Sequence, residues 1–308
     1  MRGALSALRC SQRCRSRPSG VSMSDWLDDY RTHAHKLLRS RGNRRLASSE
    51  AESAVAEVVL FPSFHPEVIL QASKAATTSL RLTSLTESLW SWYSSDVSVD
   101  AQSPQKVTET VALEQGVGDT FWRDAEELQP LVTNDRDEVG LDGMTIDASY
   151  CTASRAHSFS TWSPSKDSQQ HQYVLLLYRL AWESLAEQTS IESLEQLHVY
   201  LDLGLPARVI EESPRRIRIF GSLGSDNEKE LNHCFWGFPR DEPLVVDMTN
   251  FDRMGTGLYP SFLEFANTHS RVAWVGSPSA VTQLQELGIQ AGAVCGSIEA
   301  ARRQVLQQ

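Results

Sequence analysis

Pro243-Leu-Val-Val-Asp-Met-Thr-Asn-Phe251, Asp252-Arg-Met-Gly-Thr-Gly-Leu-Tyr-Pro260 and, after a helical segment, Val272-Ala-Trp-Val-Gly-Ser-Pro278 are the stretches that decide the fold of this chain. Leu244–Met248 is apolar at every position but one, the pattern of a short strand buried on both faces, and such strands belong to parallel sheets covered by helices. Working outward, Arg208-Val-Ile-Glu-Glu212 and Arg215-Arg-Ile-Arg-Ile-Phe-Gly221 read as short strands around a turn at Ser213-Pro214. Helical spacing is read over 227–238, 260–269, 278–288 and 297–306, with a strand at 272–275 between the second and third. Strands alternating with helices imply an α/β layer structure. Leu244, Val246, Met248, Val272, Trp274 and Leu284 are its expected core.

Upstream the pattern changes. Val58–Pro62 is apolar, and Pro66–Ala72, Thr77–Thr83 and Lys106–Leu113 alternate to different degrees. Met144-Thr-Ile-Asp-Ala-Ser-Tyr-Cys151 and His157-Ser-Phe-Ser-Thr-Trp162 alternate on either side of a short polar connection. Period-two alternation rich in β-branched residues predicts a mostly antiparallel sheet. Gly116 and Gly118 are read as closing a strand before a helix at 119–131, and a long amphipathic helix is expected at 169–188. The expected fold class is therefore α+β. A basic leader, short helix and linker occupy 1–45, an acidic and mainly antiparallel sheet domain with helices occupies 46–205, and an α/β domain occupies 206–308.

The order of strand, Gly-rich turn carrying one hydroxyl, helix and second strand over about 208–306 resembles the STAS domain of anti-sigma-factor antagonists and anion-transporter tails. In that likeness Leu244–Asp247 matches the central strand and Thr256-Gly-Leu258 matches the turn that reads Asp-Ser-Ser-Gly-Leu in the antagonists. Ala280–Gly288 and Ser297–Ala301 match the two following helices. The resemblance implies a non-enzymatic regulatory or adaptor protein that binds another protein, with Thr256 as a position where phosphorylation would break binding. Here Gly255 stands where the family has an acid, one residue is missing, and Pro260 follows. Proline is expected at the first helical position, with Tyr259 held out of helical geometry before it. The binding surface is placed at the turn, on Asn250, Asp252, Arg253, Gly255, Thr256, Gly257 and Tyr259. A competing reading has the glycines only permit a tight turn while Phe251 and Met254 fill core.

Charge bounds the partners. The chain of 308 residues carries a net −10, and 46–213 alone hold nine basic against 26 acidic residues. Nucleic acid is an unfavourable ligand for such a surface. A basic protein is not, which keeps open a toxin-neutralising immunity protein that covers a basic enzyme. An enzyme with its site between the two domains is a third reading, resting on where pockets usually form. No stretch approaches the ~20 apolar residues of a membrane helix, so membrane insertion is not expected. The five cysteines are odd in number and mostly scattered, which fits a reducing cytoplasm rather than a disulfide framework. Residues 1–22, with five Arg and no acid, read as a targeting peptide or as a disordered or mis-assigned leader before a helix capped at Ser24.

Other constellations carry little chemistry. His65 in Phe64-His-Pro66 reads as a turn residue without a neighbouring nucleophile. Cys151 and His157 are expected to face one another across the hairpin, a weak invitation to thiol chemistry. Cys10 and Cys14 have no second ligand pair for zinc, Asp135–Glu138 with Asp142 lacks the spacing of a calcium loop, and Gly221-Ser-Leu-Gly224 lacks the lysine of a phosphate loop. Trp90, Trp92 and Trp162 read as core or sheet aromatics. No cofactor, metal or catalytic group is expected.

Overall fold

The computed structural model describes residues 23–39, 53–90, 104–128 and 143–307. The leader, Cys10 and Cys14, most of the basic run to Arg45, Trp92, and the acidic stretch with Asp135–Glu138 and Asp142 lie outside the described residues. The fold is α+β: a mainly antiparallel sheet region followed by a mixed α/β region.

The first region opens with helix α1 (Met23–Leu38), then strands β1 (Ala54–Pro62), β2 (Val68–Lys74), β3 (Thr78–Leu85) and β4 (Lys106–Ala112). Helix α2 (Gln115–Leu128), the hairpin β5 (Met144–Thr152) and β6 (Ala156–Trp162), and helices α3 (Gln169–Ser184) and α4 (Gln188–Leu197) complete it. All neighbours in its six-stranded sheet are antiparallel, in the order β4-β3-β2-β1-β5-β6. Alternation along β1 decides the layers. Ala56, Val58 and Leu60 point into a core shared with Tyr173, Leu177 and Ala181 of α3, whereas Val59 and Phe61 point to the opposite face and pack under Tyr30, Ala34 and Leu38 of α1.

Two helices of this region differ from the sequence pattern. Gly116 and Gly118 sit inside α2 rather than ending a strand. A Cβ on Gly118 would lie 2.7 Å from Thr78 Oγ1, so this glycine lets the helix approach β3 closely. The helix expected over 169–188 stops at Ser184, and α4 follows at once. Glu109 of β4 caps that restart, its Oε1 accepting from Ala186 N at 3.0 Å and Glu187 N at 3.2 Å. A cap contributed from 77 residues away leaves no local signal.

The second region contains strands β7 (Ala207–Ile210), β8 (Arg215–Ile219) and β9 (Gly221–Leu223), helix α5 (Glu228–Trp236), strands β10 (Leu244–Met248) and β11 (Phe251–Met254), and helix α6 (Tyr259–Thr268). Strand β12 (Val272–Gly276), helix α7 (Pro278–Glu286), strand β13 (Val294–Cys295) and helix α8 (Ile298–Gln307) close it. Its five-stranded sheet runs β13-β12-β10-β8-β7, parallel except for the β7–β8 pair, and β9 and β11 form a separate parallel pair. Every residue of β10 is buried. Leu244, Val246 and Met248 pack with Trp274, Phe262 and Leu284 on one face, and Val245 packs with Ala273, Val275, Ala301 and Val305 on the other. The six expected core residues are all buried.

Candidate functional site

The arginines of β8 alternate with its isoleucines, so Ile217 and Ile219 enter the core while Arg216 and Arg218 emerge on the face of the sheet that meets the first region. Arg218 donates two parallel hydrogen bonds to the Glu195 carboxylate of α4, Nε to Oε1 at 2.5 Å and Nη2 to Oε2 at 2.8 Å. Its Nη1 donates to Asp247 Oδ2 at 2.9 Å. Asp247 is held in turn by Thr249, whose N and Oγ1 donate to Oδ1 at 3.1 and 2.7 Å, and Arg216 donates to its Oδ2 at 3.3 Å. The Glu195 and Asp247 side chains are fully buried. Burial alone would lower the Arg218 pKa, but hydrogen bonds and charge from Glu195 and Asp247 outweigh it and raise the pKa further above the ordinary arginine value. Charge-assisted pairing of this kind keeps a buried ion tolerable. Asn250 belongs to this cluster, since its Nδ2 donates to Glu195 Oε2 at 2.9 Å.

Beyond Asn250 the chain is a strand before it is a turn. In β11 the pairing with β9 shifts register between Phe251 and Arg253. Such a bulge breaks strict alternation. Phe251 and Met254 are consequently buried, while Asp252 and Arg253 both face outward. These two side chains border a cleft of about 630 Å³ between the regions, at the carboxyl ends of β8 and β10, where open α/β sheets commonly bind ligands. Gly221 and Ser222 lie beside them. The facing wall comes from the first region: Phe64 and His65 from the β1–β2 connection, Lys166 and His171 after β6, and Val199, Tyr200 and Asp202 after α4. His65 Nδ1 bonds the Tyr200 hydroxyl at 2.8 Å. Burial lowers the His65 pKa, a shift that Asp252 partly offsets, and burial likewise lowers that of His171. His65 is therefore part of a cleft shared with the C-terminal region rather than an isolated turn residue.

The hydroxyl-bearing turn lies just past the cleft. Gly255 N donates to Leu223 O at 2.9 Å, Leu258 N to Gly255 O at 3.0 Å, and Met254 N to Gln283 Oε1 at 3.0 Å. Buried Met254 and Leu258 bracket exposed Gly255, Thr256 and Gly257. Thr256–Leu258 is a 3-10 turn that runs directly into α6, and Tyr259 is helical at φ −54°, ψ −44°, contrary to the expectation that Pro260 would push it out. Pro260 costs no hydrogen bond there, because the first helical amides have no intrahelical acceptor. Gly255 has φ −67° and ψ 141°, values open to any residue, and a Cβ at Gly257 would meet nothing within 4 Å. A conformational role does not account for these two glycines. Their effect is to leave the backbone on both sides of Thr256 bare.

Of the residues chosen from sequence, the structure thus groups Asp252 and Arg253 with the cleft, Asn250 with the buried ions, and Gly255, Thr256 and Gly257 with the exposed turn. Tyr259 is partly buried against the C-terminal core. Sequence reasoning missed Glu195, Phe64, Lys166 and Tyr200, which reach the cleft only through tertiary packing. Cys151 pairs with Ala156 and Tyr150 with His157, so Cys151 and His157 point to opposite faces of the hairpin and share no chemistry. Burial raises the Cys151 thiol pKa, with Glu57 adding to the shift. Among the described residues no group of three or more His, Cys, Asp or Glu is placed to hold a metal ion, and no helix is long and apolar enough to cross a membrane. No protein-family model matches the chain, and no curated protein matches it.

Proposed function

We propose that this chain is a non-enzymatic regulatory or adaptor protein that binds another protein through a STAS-like C-terminal domain, with the Gly255-Thr256-Gly257 turn and the adjoining face of α6 as the docking surface. The observation that carries the reading is the pair of exposed glycines flanking Thr256, neither explained by backbone conformation or by crowding. Their absent side chains permit close approach by a partner, and the hydrogen-bonded, core-anchored turn is already ordered before binding, which lowers the cost of association. Leu263, 37% exposed on α6, supplies apolar area in the same part of the fold. A phosphate on Thr256 would add charge and bulk to this surface and oppose docking. The cytoplasm is the proposed compartment, consistent with the free thiols of Cys151, Cys234 and Cys295.

The test is capture of partners from native lysate on the immobilised full chain. A protein retained by the parent and lost from both Thr256→Glu and Leu263→Arg supports the reading. Retention by both variants, each with an unchanged melting temperature, moves the interface elsewhere.

A further inference from the structure

We propose that the cleft between the two regions is a binding site for a small zwitterion of the α-amino acid class, one bearing an aromatic or aliphatic side chain. The charges determine the class. Three other charged side chains at the cleft are already matched: Glu195 is held by Arg218 from behind the wall, and Lys166 pairs with Asp202. Asp252 and Arg253 border the same space, and neither side chain makes an ion pair or side-chain hydrogen bond among the described residues. One carboxylate and one guanidinium, on consecutive residues turned outward by a bulge, are complementary to a ligand that carries an ammonium and a carboxylate close together. A ligand with only one of these charges would satisfy one group and face the like charge of the other.

The rest of the wall fits the remainder of such a ligand. Phe64 is 64% exposed and Val199 59% exposed, the two largest exposures among the large hydrophobic side chains described, and both border this cleft. The Tyr200 hydroxyl accepts from Phe64 N at 3.3 Å and fixes His65 through Nδ1, which leaves His65 Nε2 to donate or accept toward a bound molecule. The volume of about 630 Å³ falls in the ~300–1,000 Å³ range of small-ligand pockets. The placement outside the carboxyl ends of parallel strands is the usual one for ligands in open α/β sheets.

Calorimetric titration of the full chain with L-phenylalanine, L-tyrosine and L-leucine tests the proposal, alongside phenethylamine, which lacks the carboxylate, and 3-phenylpropanoate, which lacks the ammonium. Saturable binding of at least one amino acid is expected, weakened at least tenfold by removal of either charge from the ligand and at least tenfold by Asp252→Asn or Arg253→Gln. Both residues are exposed, so the variants should fold, and an unchanged melting temperature without ligand verifies it. No saturable binding of any of the three amino acids overturns the proposal. So does equal binding of phenethylamine or 3-phenylpropanoate, or binding indifferent to both variants. Partner capture through Thr256 is a separate readout, so either proposal can fail alone.

Discussion

The two sheets differ in how they bury their second faces. In the antiparallel sheet that face is closed over β1 by α1, whose apolar residues meet Val59 and Phe61 while Arg31 and His35 meet the Asp147 carboxylate and Arg39 meets Glu57. In the parallel sheet Val245, Ala273 and Val275 lie under α8, and the polar remainder is closed by Glu195 reaching across from the other region. The Asp147 cluster beneath α1 is partly exposed, with Asp147 at 22% and His35 at 22% side-chain accessibility, whereas Glu57 under Arg39 is at 3%. Glu195, Arg218 and Asp247 lie between 0% and 3%. Location rather than the number of ionic contacts decides what each cluster contributes, because solvent screens the first set and not the second.

The contrast can be broken at graded cost. Leu244→Asp places an unpaired charge where both faces of β10 are packed, and is expected to unfold the C-terminal region outright, a loss above about 4 kcal/mol. Loss of the near-ultraviolet signal of Trp274 would show it; a native-like spectrum would contradict the burial. Glu195→Ala strands Arg218 at the junction and should cost about 3–5 kcal/mol by urea unfolding. If the two regions are coupled through this cluster, the variant should also separate into two unfolding transitions, whereas a shift within about 1 kcal/mol would show that Asp247 alone suffices for Arg218. Asp147→Asn releases Arg31 and His35 at a partly exposed site, and about 1–2 kcal/mol is expected, seen first as faster amide exchange in α1.

Acid provides a milder test. Burial lowers the pKa of His65, His171 and His198, so the unfolded chain takes up protons at these sites before the folded chain does. The stability they contribute is present above the ordinary histidine pKa of about 6.5 and is lost as pH falls below it toward the folded values. The urea midpoint should therefore fall between pH 7 and pH 5. Replacing His65 and His171 by Gln should flatten that dependence, and a slope unchanged by both replacements would contradict the assignment.

How far the sequence could be read follows the same division. Continuous apolar character at Leu244–Met248 and alternation at Met144–Cys151 are local properties, and both strands form at those places. The capped start of α4 could not be read, because its acceptor is Glu109 on a distant strand. The bulge in β11 was hidden for a similar reason: Phe251–Met254 lies against a Gly-rich segment and looks like a turn until its pairing with β9 is known. The exposed glycines beside Thr256 were legible as residues, but only the backbone angles show that the turn does not require them. The cleft was legible least, since its walls come from segments as far apart in sequence as Phe64 and Arg253.

Whether the Thr256 surface meets another protein can be read by site-specific photo-crosslinking in the native cell. A photoreactive side chain replaces Thr256 in one full-length variant and Arg123, exposed on α2 of the acidic region, in another. A discrete crosslinked protein is expected at position 256 and none at 123. A crosslink confined to position 123 would assign recognition to the acidic region, and a chain that remains uncrosslinked at both positions would remove protein docking at Thr256 altogether.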